Sequence, residues 1–155
     1  MIKNELQKIV NNLVSLKARN VKLGYGSFIT MDFGNDVEVV VKTKKGLHKH
    51  TRGEWYLWVY QCAWRIDKAG KPVVGSEDDR KIIEKLVKII ENKVLKKFDI
   101  LTNSFDAKLT FSGGIVLYLF SYITVEVEQW KLFAPGNKVL VTGPGTKWSY
   151  RDSDK

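Results

Sequence analysis

The sequence predicts an α+β fold: a single curved, mostly antiparallel sheet of about seven to eight strands with two packed helices, in the order α-β-β-β-α-β-β-β-β. Three observations lead there. Apolar residues recur at three- and four-residue spacing in two segments, one near the N-terminus and one in the middle of the chain. The other apolar runs are of strand length and are separated by Gly, Asn and Pro turn signals. Helices and strands do not alternate one for one, which argues against a doubly wound parallel sheet.

The first helical segment carries Ile2, Leu6, Ile9, Val10, Leu13, Val14 and Leu16 on one stripe and is expected to end near Asn20. In "GYGSFITMDFGNDVEVVVK" two apolar runs flank Gly34-Asn35-Asp36, which reads as a hairpin turn. Val37, Val39 and Val41 then mark one buried face. Residues 54–66 predict a long third strand, with Trp55, Leu57 and Val59 on one side and Tyr56, Trp58, Tyr60, Cys62 and Trp64 on the other. Apolar residues on both faces suit a central strand covered on both sides. Ser76 is the expected N-cap of the second helix, with Asp79 in the capping-box position. Ile82, Ile83, Leu86, Val87, Ile89, Ile90 and Val94 make its apolar face, expected to pack against Tyr56, Trp58 and Tyr60. Strands are expected near 98–102, 106–112, 115–122, 124–133 and 138–142, with a tight turn at Ser112-Gly113-Gly114.

The 155 residues show no repeat and no dividing linker, so residues 1–155 are expected to form one domain. It carries a basic loop at 42–53 and an aromatic, basic C-terminal tail at 143–155. The one cysteine, Cys62, permits no intrachain disulfide and reads as a buried thiol on an apolar strand. Polar residues interrupt the N-terminal apolar residues every few positions, unlike a signal peptide. No apolar run approaches the ~18 residues of a membrane span. The expectation is a soluble cytoplasmic protein with no membrane contact.

Net charge is +9, and it is uneven: residues 1–53 hold ten Lys and Arg against four Asp and Glu. A local surplus gathers partners of opposite sign. Within it, Lys42, Lys44, Lys45, Lys49 and Arg52 stand beside His48 and His50 and just ahead of Trp55 and further aromatic residues. Cations neutralise phosphates, and aromatic rings stack on bases. A solvated loop with core aromatics would give the same pattern. His48 and His50 share a face at i, i+2, but they lack a third ligand and have lysine neighbours, so anion binding suits them better than a metal. Near the C-terminus, Lys147, Trp148 and Arg151 are residue types common at binding surfaces, although Trp148 could equally pin the tail to the sheet.

Other features carry less chemistry. Gly24-Tyr25-Gly26 leads into a strand, so it does not match a dinucleotide fingerprint. Glu126 and Glu128 share a face at i, i+2, as on an ordinary wet strand. No P-loop, G-x-S-x-G or HExxH motif occurs, no catalytic residue is singled out, and no cofactor is expected. The first reading is therefore a non-catalytic protein that captures an anionic phosphorylated ligand: a nucleotide, a signalling nucleotide or a nucleic-acid segment. The second is a protein–protein module of immunity or inhibitor type that docks an acidic partner. The third is an enzyme with an unrecognised site. A cleft with converging cations over an aromatic floor would favour the first, and a flat patch the second.

Overall fold

Two antiparallel sheets, rather than the single sheet expected, divide the apolar residues between them. The computed structural model describes residues 2–153, and side chains from Asn4 to Ser153. The side chain of Ile2 and the end of the expected tail, residues 154–155, lie outside the described residues. Helix α1 (Ile2–Val10) leads through a 3₁₀ turn to β1 (Ala18–Leu23), β2 (Ile29–Thr43), β3 (Gly46–Val59), β4 (Ala63–Lys68) and β5 (Lys71–Gly75). Helix α2 (Arg80–Leu86) and a second 3₁₀ turn (Val87–Ile90) precede β6 (Leu95–Ile100), β7 (Ala107–Phe111), β8 (Ile115–Phe120), β9 (Trp130–Ala134), β10 (Lys138–Thr142) and β11 (Trp148–Asp152). One sheet has the order β1-β2-β3-β9-β10-β11 and the other β5-β4-β8-β7-β6. The broad α+β class holds. Among the described residues, no helix is long and apolar enough to cross a membrane.

The second sheet arises because the expected strand 54–66 is two strands. β3 stays in the six-stranded sheet to Val59, the chain turns at Tyr60–Cys62 with Cys62 N–H donating to Tyr60 O, and β4 enters the five-stranded sheet. The turn resets the alternation. Trp55, Leu57 and Val59 are buried before it, and Cys62, Trp64 and Ile66 after it. Tyr56, Trp58 and Tyr60 are only half-buried and do not receive the second helix.

Both helices are shorter than the periodicity suggests. Ser15, at φ 82, leaves the helical region after α1, and its N–H donates to Leu95 O. Asn92, at φ 65, stops the second helical run, so Lys96 and Lys97 fall in β6. Asp79 caps α2, its carboxylate accepting from Lys81 N–H at 2.9 Å. Ser76, expected in that role, instead accepts from Trp64 N–H. The turn at Ser112–Gly114 joins β7 and β8 as expected.

The buried faces of the two sheets belong to one hydrophobic cluster. Phe98 of the five-stranded sheet and Trp130 of the six-stranded sheet lie 5.5 Å apart, ring centre to ring centre, and the Trp130 indole N–H donates to Phe105 O. Phe98→Ala is expected to cost about 3–5 kcal/mol, because it removes this contact and leaves a cavity. Ile82 was expected on the apolar face but is 50% exposed, so Ile82→Ala should stay within about 0.5 kcal/mol. Denaturant midpoints at unchanged m-value would separate the two.

Candidate functional site

β2 and β3 are 15 and 14 residues long and pair from end to end, yet only their inner halves cover the core. Ile29, Met31 and Phe33 are buried opposite Val59, Leu57 and Trp55. Phe33 pairs with Trp55 and Asp36 with Gly53, so two residues of β2 oppose Glu54 alone. This is a β-bulge, which bends and twists the ribbon. The expected turn at Gly34-Asn35-Asp36 is this bulge, and the chain reverses instead at Lys44-Lys45, between paired Thr43 and Gly46. Residues 42–53, expected as a loop, are thus the tip and outer arm of a β-hairpin.

Two glycines make the bend possible. Gly34 sits at φ 81, and a Cβ there would run into the Glu54 side chain. At Gly53 a Cβ would lie 2.8 Å from both the Asp32 Cβ and the Phe33 carbonyl oxygen, so a side chain would force the strands apart. Arg19 braces the outside of the bulge, donating to Gly34 O and pairing with Asp36 Oδ1 at 2.9 Å.

The bent arm and the outer face of its own sheet border a half-open cleft of about 880 Å³. Strand alternation supplies the lining. On β3, Arg52, Tyr56 and Trp58 share the face opposite the core side chains Trp55, Leu57 and Val59, and Phe133 lies in register beside Tyr56. Lys22, Lys42 and His50 add positive or protonatable groups, and Asn20, Thr30, Asp32, Asn137 and Ser153 complete the polar wall. The Arg52 guanidinium stands 4.6 Å from the Phe133 ring centre and 6.0 Å from that of Tyr56, within cation–π range. Burial lowers its pKa from the ordinary 12.5, with nearby Tyr56 and Asp32 pulling the other way. It remains a cation at neutral pH. Among the described residues its Nε, itself buried, has no hydrogen-bond partner. Asp32, only 4% exposed, accepts at Oδ2 from Asn20 Nδ2 at 2.8 Å, while its buried Oδ1 has no hydrogen-bond partner among the described residues. Beside the floor, the Lys131 ammonium lies 5.1 Å from the Trp58 ring centre and pairs with Glu128.

The sequence candidates divide on this geometry. Lys42, His50 and Arg52 line the cleft. Lys44 and Lys45 form the hairpin tip, His48 is exposed on the arm, and Lys49 is exposed with Glu38 3.4 Å away. Trp55 belongs to the core. The tail is an edge strand, β11, paired with β10, and Trp148 packs against the core. Lys147 lies 3.8 Å from Glu126, and Arg151 is exposed on β11. These three tail residues do not join Arg52. Glu126 and Glu128 precede β9 rather than sharing one of its faces. Arg80 donates to Gly24 O and Gly26 O, which fixes that glycine loop as structure. Among the described residues, no three His, Cys, Asp or Glu cluster around a metal-sized space.

Lys22, Asp32, Tyr56, Trp58 and Phe133 were absent from the sequence candidates. The period-two relation of Arg52 to Tyr56 and Trp58 was a usable signal for two of them. Asp32 and Lys22 reach the cleft only through pairing of β1, β2 and β3, and Phe133 through the long-range pairing of β3 with β9. No protein-family model, curated protein or solved structure matches the chain.

Cys62 is buried and lies away from this cleft. Burial, with a smaller contribution from Asp106, pushes its thiol up to about 12 from 9.0. The thiol is therefore protonated at neutral pH and a poor nucleophile. Thiol-reagent labelling is expected to be slow in native protein and fast in denaturant. A raised pKa contributes stability that is complete below about 9 and is lost as pH climbs toward 12. The gap in denaturation midpoint between wild type and Cys62→Ala should accordingly narrow above pH ~9.

Proposed function

We propose that the protein binds a small phosphorylated ligand bearing a planar ring, of the nucleotide class, in the cleft beneath the β2–β3 arm. One observation carries this reading: Lys22, Lys42 and Arg52 line the same concave site as Tyr56, Trp58 and Phe133. Among the described residues, Lys22, Lys42 and Arg52 make no ion pair, so their charge is available to a ligand. Tyr56, Trp58 and Phe133 offer the rings on which a base can stack. The volume, about 880 Å³, falls in the range of small-molecule sites. That favours a nucleotide over a long nucleic-acid strand.

A second reading draws on the arm itself. Leu47 is 71% and Val40 53% exposed among lysines, as on a surface that docks an acidic protein. The arm's inner face nevertheless borders the cleft, which favours the small-ligand reading.

Trp58 gives the test a signal. Titration with nucleoside triphosphates at low salt is expected to quench tryptophan fluorescence saturably. Arg52→Gln should weaken binding by about tenfold or more, since a charge-assisted hydrogen bond contributes roughly 1.5–3 kcal/mol. The double change Lys44→Ser and Lys45→Ser, at the hairpin tip, should alter affinity far less. Absence of saturable quenching by every triphosphate, or indifference to Arg52→Gln, would sink the proposal.

A further inference from the structure

Beyond the bulge the β2–β3 ribbon leaves the core behind. Every residue from Val40 to Thr51 is exposed, on both faces and both strands. The ribbon runs from the pair Val37–Arg52 to the pair Thr43–Gly46, roughly 20 Å at about 3.4 Å per residue. A two-stranded ribbon on its own is marginally stable in water. This one is anchored by the core pairs behind the bulge, Phe33 with Trp55 and Met31 with Leu57.

The charge of the outer ribbon is of one sign. Residues 39–51, "VVVKTKKGLHKHT", hold four lysines and two histidines and no Asp or Glu. Among the described residues, Lys42, Lys44 and Lys45 make no ion pair. Lys49 has Glu38 3.4 Å away, but both side chains are more than half exposed, so that pair holds the lysine weakly. Alternation and register put Lys42 of β2 and Lys49 of β3 on one face, at opposite edges of the ribbon. Lys44 and Lys45 form the turn that joins those edges.

Lysines at both edges and at the tip of a projecting ribbon suit a partner with negative charge on two flanking walls. The major groove of B-form DNA has that form. It is about 12 Å wide and 8.5 Å deep, and it admits a two-stranded ribbon, whose strands are about 4.8 Å apart. The major groove of A-form RNA is too narrow for it. A folded acidic protein would cover one face, whereas the exposure here extends to both faces and the tip. Residues 39–51 contain no Arg, Asn or Gln, side chains that read a base through two hydrogen bonds, so phosphate contact dominates. We infer that the arm binds double-stranded DNA without regard to sequence, its tip entering the major groove and Lys42, Lys44, Lys45 and Lys49 contacting the flanking phosphates. This surface lies outside the aromatic floor of the cleft, shares only Lys42 with the cationic groups there, and does not depend on the nucleotide reading.

The test follows the fluorescence anisotropy of a labelled DNA duplex of about two helical turns. Wild type is expected to bind it, with log K falling against log salt at a slope of about −3 to −4, since each lysine on a phosphate contributes roughly 0.9. A duplex of unrelated sequence should bind equally. Changing Lys44→Ser and Lys45→Ser together should reduce the slope by about two and weaken binding by about tenfold at low salt. The charge-matched control, Lys81→Ser with Lys85→Ser on exposed positions of α2, should leave the slope unchanged. An RNA duplex of the same sequence should bind at least about fivefold more weakly. The tip side chains are exposed, so the denaturation midpoint should hold, and quenching by nucleoside triphosphates should survive the tip change, which separates this result from the cleft's. No salt-dependent DNA binding, or an equal loss in the α2 control, would overturn the assignment to the arm. Equal binding of RNA duplex or single-stranded DNA would overturn the groove. An oligoglutamate peptide that binds as tightly as DNA at the same salt would replace it with the acidic-protein reading.

Discussion

The close approach of β2 and β3 at Gly53 is the constraint on which the cleft depends. The core is complete at Phe33 and Trp55, yet the ribbon continues for about another ten residues on each strand. A straight continuation would project into solvent. The extra residue opposite Glu54 bends it, and the missing Cβ at Gly53 lets Asp32 and Phe33 lie against β3 where it bends. The same place carries Arg52 on one side and Asp32 on the other. Backbone geometry and site chemistry are therefore coupled: a change that straightens the bulge would separate the cleft's floor from its roof.

What could be read from the sequence was local. The α+β class, the turn at Ser112–Gly114 and the strand at 138–142 follow from spacing and turn residues that act over a few positions. The division into two sheets does not. Residues 54–66 look like one continuous apolar strand because both sheets require apolar residues there. The chain changes sheet at Tyr60–Cys62 without a glycine or proline to mark it. Gly34-Asn35-Asp36 misled for a related reason. A glycine at positive φ, such as Gly34, serves a bulge as readily as a hairpin turn, and only pairing distinguishes them. The tail was ambiguous for want of a partner: Trp148 and its neighbours become a strand because β10 presents an edge to them.

The site was partly legible on the same terms. Charge density pointed to residues 42–53, and three of those basic or histidine residues do reach the cleft. Sequence proximity chose Trp55 as their aromatic partner, but strand alternation places Trp55 in the core and gives that position to Tyr56 and Trp58. Lys49 illustrates the converse. It sits amid the densest charge in the chain, yet it faces solvent and Glu38 across the hairpin. Charge count locates a field, whereas alternation and pairing decide which charges share a space.

The cleft combines groups that a fold optimised for stability alone would pair or remove. An unpartnered buried polar atom costs roughly 1–3 kcal/mol, and among the described residues Asp32 Oδ1 and Arg52 Nε, on two residues that line the cleft, are such atoms. Moving Arg52 onto Asp32 would satisfy both. The guanidinium is instead held over Phe133, and Asn20 holds the carboxylate from the β1 side. In the register Tyr56 lies between Asp32 and Phe133, and among the described residues Asp32 and Arg52 form no ion pair. Most of the residues that line the cleft are in paired strands, which fixes their backbone. The hairpin tip, where Lys44 and Lys45 extend beyond the cleft, is free to vary without disturbing that geometry.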